Sequence, residues 1–166
     1  MKKILIISDT HENHDLLQPV LSHNQDCEYL IHLGDEPDDL ERHADLTAKM
    51  QIFSIFGLYH AKFTSENACK IFSIDGLDFS ISHTVKMLKF DKFNCIYLFG
   101  HTHNRFFEFN DNKLIVNPGH LKSTKDRGDV AGYAIIEYDN PVEVTVKFFN
   151  YKNKLTETKK VSFKKE

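Results

Sequence analysis

Apolar residues come first in short unbroken runs and later in alternating ones. Residues 3–8, KILIIS, are a continuous β-branched run, which predicts a strand buried on both faces. Over 13–25 the period changes: Leu16, Leu17, Val20 and Leu21 share one stripe, which predicts a helix. A second apolar strand is predicted over 29–35, YLIHLGD, a helix over 38–46, DDLERHADL, and a third strand over 50–57, MQIFSIFG. This β-α-β-α-β order predicts a parallel sheet with crossover helices.

The second half is patterned differently. Residues 69–83 predict a hairpin around Asp75-Gly76, 84–93 a short helix, 95–103 a strand, and 106–119 a hairpin turning near Asn110-Asp111-Asn112. Residues 130–151 alternate as two antiparallel strands, and the Lys-rich 152–166 read as a solvated edge or tail. The expected architecture is one domain over 1–166, two packed sheets with helices outside.

Composition narrows the partners. A net charge of −3 gives no basic field for nucleic acid, so nucleic acid is not the expected partner. No run approaches the ~20 apolar residues of a membrane span, so no membrane association is expected. The opening MKKILIISDT has too brief an apolar run for a signal peptide. Three widely spaced cysteines, Cys27, Cys69 and Cys95, suit no disulfide framework and fit a reducing cytoplasm, the expected location.

Ten histidines stand in this chain, and several of them follow apolar strands. Strand one is followed by Asp9 and His11, strand two by Asp35, the first hairpin by His83, and the run 95–99 by His101 and His103. In open α/β sheets, sites form beyond the carboxyl ends of strands. Alternate residues of an extended segment point the same way, so Asp9 and His11, like His101 and His103, could each reach one locus. The small Gly34 and Gly100 would let the backbone approach closely. Carboxylates mixed with neutral imidazoles suit Mn²⁺, Fe²⁺, Zn²⁺ or Ni²⁺.

Taken in order, Asp-x-His, Gly-Asp, a glycine after strand three, a lone His and Gly-His-x-His resemble the calcineurin-like metallophosphoesterases. Length and the NPG at 117–119 resemble their small bacterial and archaeal phosphodiesterase branch, which shares its fold with the retromer scaffold subunit. The resemblance covers residues 3 to about 150 and implies an α/β fold, a four-layer α/β/β/α sandwich of two mixed sheets with flanking helices. It implies one metal on Asp9, His11 and His103, another on His83 and His101, and Asp35 bridging them. Two divalent ions, expected as Mn²⁺, would activate a water for hydrolysis of a small phosphodiester or phosphomonoester. Asp35, His60 and His101 are the candidate catalytic residues. Small relatives often dimerise, so a homodimer is compatible with the resemblance.

One element departs from it. Where the family carries Gly-Asn, this chain reads Gly57-Leu58-Tyr59-His60, and leucine has no lone pair to give a metal. Three readings stay open: a second metal held more weakly with water filling the gap, His60 swinging in as ligand or acid, or a scaffold protein acting through partners. Glu12 also stands where glycine is common. Of the remaining polar residues, His14, His23 and His43 are expected to face solvent, His32 to be buried and hydrogen-bonded, and His120 to line the cleft edge or sit in a plain loop. Asn13, Asn104, Arg105 and Arg127 are candidate phosphate contacts, with a surface salt bridge the ordinary alternative for the arginines. The phenylalanines of 105–109 read as strand packing, although with 89–93 they could form a partner-binding patch.

Overall fold

The computed structural model describes residues 1–92 and 94–164. The chain opens with β1 (Lys2–Ile7), α1 (His14–His23), β2 (Tyr29–His32), a 3-10 helix over Pro37–His43, α2 (Ala44–Thr47) and β3 (Gln51–Ser54). A 3-10 turn over Ser65–Asn67, β4 (Cys69–Ile74), β5 (Leu77–Ser82), a 3-10 turn over Val85–Met87 and β6 (Cys95–Leu98) follow. Next come β7 (Phe106–Asn110), β8 (Lys113–Asn117), β9 (Lys125–Asp126) and β10 (Asp129–Val130). The last strands are β11 (Gly132–Asn140), β12 (Glu143–Asn150) and β13 (Leu155–Ser162).

Two mixed sheets result. The first has the order β13-β12-β11-β1-β2-β3, the second β4-β5-β6-β8-β7, and β9 pairs with β10 alone. β1, β2 and β3 run parallel, as do β5, β6 and β8, so each sheet has a parallel trio with carboxyl ends on one side. The Asp75-Gly76 turn between β4 and β5 has positive φ at both residues, 44° and 84°, the backbone twist that a two-residue hairpin requires.

The alternation along β1 sorts the core. Ile4 and Ile6 pack between the sheets with Ile31, Phe79, Ile81, Ile96, Leu98 and Val116. Leu5 and Ile7 face the other way, against Leu16, Leu17, Val20 and Leu21 of α1. α1 thus forms the outer layer on the first sheet. On the outer face of the second sheet, Cys95, Tyr97 and Phe99 are covered by Leu88 and Phe90.

That cover is not the helix expected over 84–93. Only Val85–Met87 turn, as a 3-10 helix, and Leu88 is already extended with ψ 140°. The Tyr97 hydroxyl donates to the Lys92 carbonyl at 2.7 Å and accepts from the Lys92 N–H at 3.2 Å, taking backbone groups a helix would have used. Phe93, also within that predicted helix, lies outside the described residues. The helix expected over 38–46 is mostly 3-10, because its Asp39 turns inward to serve another loop. Residues 155–162 of the Lys-rich end form β13, the sheet edge. Among the described residues no helix is long and apolar enough to cross a membrane.

Candidate metal centre

The polar residues after the parallel strands meet where the two sheets come together. Asp9 and His11 follow β1 and Asp35 follows β2; His83 follows β5, and His101 and His103 follow β6. Two groups form: Asp9, His11, Asp35 and His103 in one, and Asp35, His83 and His101 in the other, with ligand atoms in each within 4.8 Å of one another.

Asp35 belongs to both through different oxygens. Oδ2 is 3.3 Å from His11 Nε2, and Oδ1 is 3.3 Å from His83 Nε2. In the first group His103 Nε2 is 3.1 Å from Asp9 Oδ1, and His11 Nε2 is 4.0 Å from the same oxygen. In the second, His101 Nδ1 is 3.3 Å from His83 Nε2.

Three of the six residues, His83, His103 and Asp9, are aimed by a second contact. His83 Nδ1 donates to the Leu33 carbonyl at 2.7 Å, which fixes the tautomer and leaves Nε2 with a lone pair. His103 Nδ1 is bonded to the Asp126 carboxylate, a carboxylate–imidazole pair of the kind that orients metal ligands. Asp9 turns Oδ2 to the His101 N–H at 3.0 Å and to Ser8, which leaves Oδ1 facing the imidazoles. Gly100 permits this approach: a Cβ there would stand 2.0 Å from Ser8 Oγ and 2.7 Å from Asp9 Oδ2.

The pairs were expected to act through extended backbone, and they do not. Asp9, His11, Asp35, His101 and His103 all have positive φ, between 45° and 65°. The chain leaves each strand and turns at once, so the ligands are delivered by left-handed turns rather than by pleat alternation. Such conformations are strained for non-glycine residues and cluster at functional sites.

Electrostatics follow the geometry. Burial pushes the Asp35 carboxyl up, but the imidazoles of His11 and His83 outweigh it and hold the carboxyl well below the usual range. Burial likewise works against charge on His83 and His103, yet Asp35 and Asp9 raise the first, and Asp9 and Asp126 the second. His101 is pushed down, by burial and by His83 beside it.

The donors fit divalent cations. Carboxylate oxygens and imidazole nitrogens converge without cysteine, the set that suits Mn²⁺, Fe²⁺, Zn²⁺ or Ni²⁺. Among the described residues the buried His11 Nε2 has no hydrogen-bond partner, although it lies within reach of the other donor atoms of its group.

His60 lies in neither group. Its Nε2 is 3.3 Å from Asp38 Oδ2, its Nδ1 accepts from the Lys62 N–H at 3.1 Å, and its ring stacks on Phe56. Leu58 lines a cavity of about 370 Å³ that also touches His101. His32 is fully buried as expected, its Nε2 3.2 Å from Thr10 Oγ1, and burial pushes its pKa down to about 4. His43 is buried rather than solvent-facing, bonded to the half-buried His14 at 3.0 Å.

Asn13 is occupied as the cap of α1, accepting from the Leu16 N–H. Arg105 is also committed, to the Phe149 carbonyl and Thr156 Oγ1, both at 2.7 Å, so it ties strands together. Arg127 stays beside the centre, donating to the His101 carbonyl at 2.7 Å. His120 is fully buried and stacks on His103 with ring centroids 5.2 Å apart.

Two residues escaped the sequence reading. Asp126 lies in the two-residue β9, where no periodicity marks it. Asp39 accepts from Thr10 Oγ1 at 2.6 Å and from the Glu12 N–H at 2.8 Å, so it holds the loop that carries Asp9 and His11. It was hidden among the acidic residues of 35–45.

Comparison with known proteins places the chain in a family. A family model described as the calcineurin-like phosphoesterase superfamily domain matches residues 1–141. Among solved structures, YfcE, a phosphoesterase from E. coli, is similar over 96% of this chain and 100% of its own, with 16% identity and TM-score 0.75. A predicted phosphoesterase from Streptococcus pneumoniae is similar over 97% of both chains, with 19% identity and TM-score 0.72. Vacuolar protein sorting 29 from Cryptosporidium parvum covers 97% of this chain and 98% of its own, with 16% identity and TM-score 0.73. Among curated proteins nothing matches. The family model spans most of the sequence and takes in all six residues of the two ligand groups, and the chain therefore belongs to the calcineurin-like phosphoesterase superfamily.

Proposed function

We propose that this protein is a metal-dependent phosphodiesterase with a two-metal centre on Asp9, His11, Asp35, His83, His101 and His103. The observation that carries the reading is Asp35, which offers one carboxylate oxygen to each ligand group. When bound, a pair of divalent cations, Mn²⁺ by preference over Fe²⁺, Zn²⁺ or Ni²⁺, neutralises phosphoryl charge and acidifies a water. The chain's own residues do the positioning. His83 and His103 are locked by Leu33 and Asp126 so that Nε2 faces inward. Arg127, held on the His101 carbonyl, keeps further guanidinium N–H groups to offer a phosphate oxygen. His60 is given no part in this reading: its Nε2 is beside Asp38 and its Nδ1 accepts from the Lys62 N–H. Three free cysteines, two of them buried, support a reducing, cytoplasmic setting.

A second reading, a scaffold acting through protein partners, draws on Leu58, which leaves the second group one donor short. The two readings separate in one assay. Metal-stripped protein hydrolyses a chromogenic phosphodiester as Mn²⁺ is titrated in, and the Asp35→Asn variant does not. A wild-type protein that stays inactive with every divalent cation would favour the scaffold.

A further inference from the structure

The cavity beside His101 has a composition of its own. Leu58, Val85 and Met87 supply apolar walls, and Thr84 and Thr102 supply hydroxyls. Lys86 is the one charged residue among the described lining residues. Val85 is 41% exposed, so apolar surface is presented to solvent inside a concavity. At about 370 Å³ the space is that of a small-molecule site. His101 and Gly100 form part of its wall, so the cavity shares His101 with the second group.

We propose that this cavity receives an apolar ester group of the phosphate substrate, and that Leu58 is a specificity-determining residue. The inference rests on the two-metal phosphoesterase reading and adds the substrate class to it. A phosphoryl group held at Asp35, His83 and His101 has a substituent that must go somewhere, and the cavity adjoins that group through His101. Among the described lining residues there is no phenylalanine, tyrosine or tryptophan on which a nucleobase could stack; the one ring is that of His101, which belongs to the second group, and there is a single lysine. That lining disfavours nucleotides and favours alkyl or aryl esters. Leu58 brings no lone pair to the second group and supplies apolar lining alongside Val85 and Met87.

The test is calorimetric binding to Mn²⁺-loaded protein of inorganic phosphate and of methyl-, butyl- and hexylphosphonate. Affinity rises about fourfold for each methylene that enters the cavity, so hexylphosphonate binds far more tightly than methylphosphonate. The ratio of hexyl to methyl affinity falls part-way in Val85→Ala and collapses toward one in Val85→Asp, at a half-exposed position that tolerates both. Equal affinities across the series in the wild-type protein would overturn the proposal while leaving the metal centre standing. A ratio retained in Val85→Asp would also overturn it, because the methylenes would then be buried elsewhere. If neither phosphate nor any phosphonate binds with Mn²⁺ present, the phosphoesterase reading fails and the proposal falls with it.

Discussion

Gly57 shows how closely the backbone is fitted around the ligands. A Cβ at this position would stand 1.8 Å from Asp35 Oδ1 and 2.9 Å from the Asp35 backbone nitrogen. An alanine here must push the carboxylate off its place between the two groups. The Gly57→Ala variant is expected to keep its circular dichroism and lose about 100-fold in metal-dependent hydrolysis, the scale of an ångström-sized misplacement. Near-wild-type activity would mean that Asp35 does not need its observed position. Glu12 is the opposite case, a side chain where glycine would be easier. Its φ is 61°, and its N–H is held by Asp39. Left-handed backbone costs a non-glycine residue about 1–2 kcal/mol, and glycine loses about 0.5–1 kcal/mol of that advantage in chain entropy. Glu12→Gly should therefore stabilise the fold by about 0.5–1 kcal/mol, read as a higher urea midpoint with unchanged slope.

Elements were legible where one period dominated. β1, β2, β5, β6 and the hairpins appeared as runs or alternations, and α1 as its single stripe of Leu16, Leu17, Val20 and Leu21. The six residues that converge in the two groups were legible as candidates because each follows such a strand. Their turns were not legible, since a positive φ at aspartate or histidine leaves no mark in a hydrophobic pattern. Nor was the segment 84–93, where apolar spacing at Val85, Met87, Leu88 and Phe90 looks helical but packing decides otherwise. Leu88 and Phe90 cover the outer face of β6, and Tyr97 takes the backbone groups of Lys92. Tyr97→Phe should cost about 1–2 kcal/mol in denaturant unfolding, the usual loss for a hydrogen bond whose partner stays partly shielded. An unchanged midpoint would mean that this hydroxyl does not hold the cover in place.

At the scale of the whole molecule, the candidate ligands come from both sheets. Asp9, His11 and Asp35 hang from the first sheet, and His83, His101 and His103 from the second. The first group already joins them through Asp9 and His103, and the second through Asp35 and His83. A divalent cation at either place would cross-link the two layers of the sandwich at the mouth of their shared core. Binding confined to the folded state adds about 2.7 kcal/mol at a free metal concentration 100-fold above Kd. For a domain of this size that is a rise of about 5–10 °C in Tm. Asp35 touches both groups, so Asp35→Asn should remove most of the rise, whereas a change confined to His101 should leave the part due to the four-residue group. Thermal unfolding of the metal-stripped protein against Mn²⁺ concentration measures both. Equal shifts in wild type and Asp35→Asn would mean that the metal binds elsewhere, and that the seam between the sheets is closed by hydrogen bonds alone.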